Sequence, residues 1–322
     1  MEIIAGTDRF TIEAETAVAI GKFDGVHCGH RRLIEELVAQ KKNGRKACIF
    51  TFDPSPGVLF GTSDGKELTT REEKRLILQN LGVDLLIEYP LNRENAAVDP
   101  ADFVRNVLMG QLSASFVAAG PDLSFGRGGK GDIALLRQIA PEGEMEVREI
   151  PKIRIDLERP LAPAKEQEAD GEADRSVIVS STLVRRLVEQ GRMEEANAAL
   201  GMPYPVLGRV EHGAHLGHSI GFPTINLPLP ESKLLPPYGV YASTALIRGR
   251  QVPAITNIGC KPTVREDASP LAETYLYDFS EEVYGEEVLV MLRSFRRPEW
   301  KFSGLEELRA QLARDIEDGR KM

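Results

Sequence analysis

Cysteine is scarce in this chain of 322 residues: three are present, Cys28, Cys48 and Cys260, far apart and odd in number. That usage argues against a disulfide framework and for a reducing compartment, so a cytoplasmic protein is expected. Positive charge is in deficit, with 40 Lys and Arg against 49 Asp and Glu and a net charge of -9. A balance this acidic speaks against nucleic acid as a partner, because sequence-independent binding rests on summed positive charge. Any phosphate must then be held by local backbone and a few side chains. No apolar run approaches the length of a membrane span, so no membrane association is expected. The opening Met1-Glu2-Ile3-Ile4-Ala5-Gly6-Thr7-Asp8 has neither a basic n-region nor an apolar h-region. What is present, 42% hydrophobic and 28% charged residues, suits a soluble globular protein with room for two domains, each with its own core.

The stretch Ala19-Ile20-Gly21-Lys22-Phe23-Asp24-Gly25-Val26-His27-Cys28-Gly29-His30 organises the chain. Apolar residues from Ala17 run into Gly21, and Leu33, Ile34, Leu37 and Val38 then recur at helical spacing. The spacing predicts a buried strand, a tight turn at its carboxyl end and a helix start whose free N–H groups suit a phosphate. His27 and His30 fall one turn apart on one helix face and could hold one anion together. Zinc is disfavoured, since no third ligand is near and Cys28 lies off their common face.

Residues 1 to about 150 alternate strand-like and helix-like segments, the pattern of a doubly wound parallel sheet. Lys46–Phe52 and Val83–Tyr89 read as strands, Thr70-Arg71-Glu72-Glu73 as a capping box, and Asp99-Pro100 as a helix head. The glycine-rich run Asp122-Leu123-Ser124-Phe125-Gly126-Arg127-Gly128-Gly129-Lys130-Gly131 has a backbone that could approach a ligand. Residues 151–175 turn to Glu, Ala, Pro and Asp and read as a flexible insertion without chemistry. Val177–Val179 leads into a helix opened by Ser180-Ser181-Thr182 with Arg185 one turn on, another arrangement suited to a polyphosphate. From Pro205, short β-rich runs separated by Gly and Pro suggest a small antiparallel barrel, with a helix from about Leu305 to Glu317 at the end.

The run from Gly21 to His30 resembles the HxGH nucleotidyltransferase signature in the form found in bacterial FAD synthetases. Ser180-Ser181-Thr182-Leu183-Val184-Arg185 is similar to that family's second ATP element, and Asp122 with Phe125 to its flavin-side loop. Gly217-His218-Ser219-Ile220-Gly221-Phe222-Pro223-Thr224-Ile225-Asn226, with Asn257-Ile258-Gly259, Glu273 and Tyr284-Gly285, resembles the riboflavin kinase domain. Four positions depart from the family pattern: Ser55 stands where relatives commonly carry His, Leu123 where they carry Phe, His218 where they carry Arg and Ile225 where they carry Ala. The resemblance implies a Rossmann-like nucleotidyltransferase domain over residues 1–186 that contains the 151–175 insertion. A helical linker over 187–204 and a riboflavin kinase barrel over 205–322 would follow.

It also implies two reactions: phosphorylation of riboflavin to FMN by ATP, then adenylylation of FMN to FAD with release of pyrophosphate. His27, His30 and Arg185 are the implied catalytic groups of the second reaction. Gly21, Phe23, Asp24, Gly25, Ser181 and Thr182 would bind its ATP, and Asp122 and Phe125 its flavin. For the kinase, Glu273 is implied as the base, with Gly221, Pro223, Thr224 and Asn226 on the ATP side and Thr224 and Asn226 also on Mg²⁺. Two other readings stay open: a kinase whose adenylyltransferase half has drifted, and a flavin-binding regulator without turnover.

Overall fold

The computed structural model describes residues 1–160, 175–212, 222–260 and 270–320. Its chain divides into two compact units. The first holds six strands, β1 (Glu2–Ala5), β2 (Thr16–Ile20), β3 (Lys46–Asp53), β4 (Leu85–Pro90), β5 (Ala114–Ala119) and β6 (Glu146–Glu149). Between them run the helices α1 (Cys28–Ala39), α2 (Pro56–Leu59), α3 (Arg71–Asn80), α4 (Pro100–Asp102) and α5 (Ile133–Ile139).

The strands form one parallel sheet in the order β1-β4-β3-β2-β5-β6. Every residue of β2 is buried, as a strand with neighbours on both edges and cover on both faces requires. From β2 the chain winds outward through β3 and β4, then crosses to the other side of β2 to place β5. The reversal leaves a crevice at the carboxyl ends of β2 and β5.

Asp99 caps α4 by accepting from the Ala101 N–H at 3.0 Å. The helix continues over Phe103–Gln111 in wider turns, ending with the Leu112 N–H on the Val107 carbonyl. Its stripe Phe103, Val104, Val107 and Leu108 packs into the core with Val18, Phe50 and Ile87.

Two elements differ from the sequence reading. β1 is a short edge strand at the chain start. The segment expected to be irregular from residue 151 contains β7 (Arg154–Asp156), which pairs antiparallel with β8 (Ser176–Ile178). The remainder of that insertion, 161–174, lies outside the described residues.

The second unit gathers Lys66–Glu73 and the described chain from Ser181 onward, with residues 157–160 and 175. The helices α6 (Ser181–Glu189) and α7 (Met193–Leu200) therefore group with it. Six antiparallel strands follow: β9 (Tyr204–Arg209), β10 (Thr224–Pro228), β11 (Gly239–Ile247), β12 (Arg250–Cys260), β13 (Pro270–Leu276) and β14 (Glu287–Pro298). Their order is β10-β13-β12-β11-β14-β9. The two ends of the sheet meet where the Glu211 N–H donates to the Asn226 carbonyl at 2.9 Å, which curls the sheet into the small barrel expected from the sequence.

One face of this sheet carries a buried hydroxyl ladder, Ser243 to Thr256 at 2.8 Å and Thr256 to Thr274 at 2.9 Å. Over the other face lies α8 (Leu305–Arg320). Ile316 packs there on Val240, Ile255 and Tyr277, and Asp315 pairs with Arg297 at 2.5 Å.

Residues 66–73 are strapped to the barrel. The Lys233 ammonium donates to Glu73 Oε2 at 2.5 Å and to the Leu68 carbonyl at 2.7 Å, and the two charged side chains are each 1% exposed. It also sits 4.3 Å over the Tyr204 ring. Glu73 accepts further from the Leu207 and Thr70 N–H groups, both at 2.9 Å. Thr70 Oγ1 in turn takes the Glu73 N–H at 3.2 Å, completing the capping box.

Candidate active sites

In the first unit the predicted residues converge on the end of β2. The Gly21 N–H continues the ladder to the Phe50 carbonyl at 3.1 Å, after which the chain leaves the sheet. Phe23 (φ 50), Gly25 (φ 78) and Val26 (φ 44) all take the left-handed region. For a β-branched valine this is a strained conformation. The turn it produces aims the start of α1 back across the strand end.

His27 caps α1, its Nδ1 accepting from the His30 N–H at 3.4 Å. That bond assigns the tautomer, because a neutral ring accepting at Nδ1 carries its proton on Nε2. The two imidazoles stack, with centroids 3.7 Å apart and planes 17° apart, and His30 rests on the buried Phe23 ring at 4.8 Å. A Cβ at Gly29 would stand 3.2 Å from the His27 ring, so this position is small because the imidazole folds over it.

Burial holds His27 down to about 4, against weaker upward pulls from Asp24 and Asp122. His30 is lowered well below the usual imidazole range, first by burial and then by His27 and Lys74. Both rings are therefore neutral at pH 7 in the free site. His30 Nδ1 is buried and has no hydrogen-bond partner, and a buried polar atom so placed is satisfied by a ligand or by water. The pair thus offers neutral hydrogen-bonding groups, and the helix start supplies the positive end of a dipole.

Asp122 follows β5, beside β2 in the sheet, and pairs with Lys152 at 3.1 Å. Phe125 is buried in the core against Phe103, 5.6 Å away. Its N–H and carbonyl exchange bonds with Gly131 at 3.0 and 2.9 Å, closing the glycine-rich loop on itself. Gly126 has φ 68, and a Cβ there would lie 2.8 Å from the Pro100 Cα. The Arg127 N–H donates to the Val98 carbonyl at 2.9 Å. The glycines therefore let this loop dock on the head of α4, a close approach within the protein that the sequence reading expected toward a ligand. Phe125 anchors the loop from inside the core.

Ser181, Thr182 and Arg185 lie on α6 in the second unit, and the Arg185 guanidinium donates to the Lys66 carbonyl at 2.6 Å.

In the barrel, β10 is extended, so Thr224 and Asn226 share a face as the alternation predicts. Pro223 stands exposed just before it, and Gly221 lies outside the described residues. Glu273 on β13 is the direct register partner of Asn226 on one side and of Asn257 on the other. Neighbouring strands being about 4.8 Å apart, the three side chains form one polar row across three strands. Thr224, one pleat from Asn226 on that face, is partly exposed. A hydroxyl, an amide oxygen and a nearby carboxylate are oxygen donors that suit Mg²⁺ once substrate phosphates complete the set. Among the described residues no group of three or more His, Cys, Asp and Glu could hold a metal by itself.

The FAD synthetase family model matches residues 10–159 and the riboflavin kinase model residues 200–322. The bifunctional riboflavin kinase/FMN adenylyltransferase of Listeria monocytogenes is 36% identical over 318 residues, covering 98% of this chain and 94% of the relative.

The chain belongs to the bifunctional riboflavin kinase/FMN adenylyltransferase family.

Members from Escherichia coli and Bacillus subtilis are 35% identical over 301 residues and 32% over 312, covering 92% and 95% of this chain and 90% and 92% of those relatives. A crystal structure described as a macrolide-efflux protein from Streptococcus pneumoniae superposes with a TM-score of 0.80 at 26% identity, over 99% of this chain and 98% of that one. No described helix here is long and apolar enough to cross a membrane. Sequence reasoning about this family gave Asn257 no role, although the run Asn257-Ile258-Gly259 was visible. Register places it beside Glu273.

Proposed function

We propose that the two reactions of the family divide between the units according to what each acceptor needs. Riboflavin presents a neutral alcohol, and Glu273 takes its proton as the hydroxyl oxygen bonds to the γ-phosphorus of ATP and the bond to ADP breaks. Thr224 and Asn226, with Pro223 and Gly221, hold the ATP side. Thr224 and Asn226, with the phosphates, would hold Mg²⁺, which would supply charge neutralisation there.

FMN presents a phosphate whose second pKa is near ~6, so the nucleophile is already anionic at neutral pH and needs no base. His27 and His30 donate to the phosphates of the second ATP, and the α1 amino terminus opposes the charge that builds on the α-phosphate and the leaving pyrophosphate. Gly21, Phe23, Asp24 and Gly25 shape the nucleotide side. Ser181, Thr182 and Arg185 add polyphosphate contacts, and Asp122 with the Phe125-anchored loop borders the flavin. On this reading residues 1–186 carry the adenylyltransferase and 205–322 the kinase, with 187–204 as the helical joint. The partners are small molecules, riboflavin, FMN and ATP, and the location is the cytoplasm.

The observation that carries the kinase assignment is the register that sets Glu273 against Asn226. The test is to incubate the purified protein with riboflavin and MgATP and separate the flavins. FMN and FAD should both appear. Glu273→Ala should yield neither from riboflavin yet convert added FMN to FAD. FMN production by that variant would refute the assignment of the base.

A further inference from the structure

Glu299 follows the last strand and returns over the end of β12, where its Oε1 accepts from Asn257 Nδ2 at 3.1 Å. A Cβ at Gly259 would overlap that same carboxylate oxygen and stand 3.3 Å from Asn257 Nδ2. Gly259 has no positive φ, so its backbone does not call for glycine. What requires a bare position there is the approach of Glu299.

The contact fixes the amide. A carboxylate only accepts, so the Asn257 group facing Glu299 is its NH₂, and its carbonyl oxygen is presented on the other side of the amide as an acceptor. Asn257 is the register partner of Glu273. The row therefore holds two acceptors one strand spacing apart, a carboxylate and a neutral carbonyl oxygen. A single alcohol needs only the first. A polyol with hydroxyls on adjacent carbons would use both, one proton moving to Glu273 and the next hydroxyl donating to Asn257.

Resting on the assignment of Glu273 as the kinase base, we propose that Asn257 is a specificity-determining residue, held in its accepting orientation by Glu299 as a positioning residue. Asn257 reads the hydroxyl adjacent to the one that is phosphorylated. The site thereby selects flavins bearing a vicinal diol at the end of the side chain.

The experiment compares kinase kinetics on riboflavin and on the analogue lacking the hydroxyl next to the terminal one. The wild-type protein should favour riboflavin by about tenfold or more in kcat/KM, since the analogue leaves an acceptor unpaired. Asn257→Ala and Glu299→Ala should each lose most of that preference through a higher KM for riboflavin. The double variant should be no worse than Asn257→Ala alone, because Glu299 acts through Asn257. Conversion of added FMN to FAD in the same preparations reports whether each variant is folded.

A wild-type protein that treats the two flavins alike overturns the proposal whatever the variants do. So does a Glu299→Ala variant that retains full discrimination. Activity surviving in Glu273→Ala would instead overturn the underlying assignment of the base.

Discussion

At the scale of single residues, the candidate adenylyltransferase site is built from uncharged imidazoles. His27 titrates near 4 in the folded chain against about 6.5 when exposed. The unfolded chain therefore binds the extra proton first as pH falls, and folding stability drops between about pH 6.5 and pH 4. The penalty from His27 alone is on the order of 3 kcal/mol at the bottom of that window, with His30 adding in the same direction. Chemical denaturation at pH 7 and pH 5 should show the loss in the free protein, and His27→Asn, which can still cap α1, should flatten it. An unchanged slope in that variant would mean that other groups carry the effect. For activity, His27→Ala combined with His30→Ala should abolish FAD formation while FMN accumulates from riboflavin, as read by separating the flavins. The sequence showed where these imidazoles lie but not their charge, because the depressed pKa comes first from burial, which no local spacing reveals.

At the scale of elements, what was legible followed strict local rules. Thr70 and Glu73 form the reciprocal bonds of a capping box, and Asp99-Pro100 opens a helix. The runs Lys46–Phe52 and Val83–Tyr89 become β3 and β4 to within two residues. What was hidden depends on pairing at a distance. β7 finds β8 22 residues on, from Arg154 to Ser176, and nothing in either tripeptide announces the other. Lys233, within Pro230-Glu231-Ser232-Lys233, looks like a solvated turn lysine, yet it is 2% exposed. Breaking its pair with Glu73 leaves a buried carboxylate without its cation, so Lys233→Met should cost about 3–5 kcal/mol in urea denaturation. Adding Glu73→Gln to that variant should recover only part of the loss: the amide is neutral, but its single oxygen can serve only one of the Thr70 and Leu207 N–H groups, which bond different carboxylate oxygens. The hydroxyl ladder predicts a smaller effect: Thr256→Val strands Ser243 and Thr274 inside the barrel, at about 1–3 kcal/mol.

At the scale of the whole molecule, the two chemistries are separable on one chain, so the histidine and Glu273 variants should complement each other. Mixing the His27→Ala, His30→Ala protein with Glu273→Ala should restore FAD synthesis from riboflavin through FMN released to solution, and failure to do so would show that FMN is not exchanged. The division at residue 186 expected from the sequence follows where the motifs lie. The division by packing instead gives Lys66–Glu73 to the barrel unit and Lys74 to the unit of the parallel sheet, so the boundary falls within the sequence of α3. The pairing of Glu73 with Lys233 bears on how the polypeptide is made. Glu73 emerges from the ribosome 160 residues ahead of Lys233, and throughout that interval its carboxylate must stay hydrated. The nascent amino-terminal half therefore waits, with the first turn of one helix unclaimed, for translation to deliver the cation that buries it.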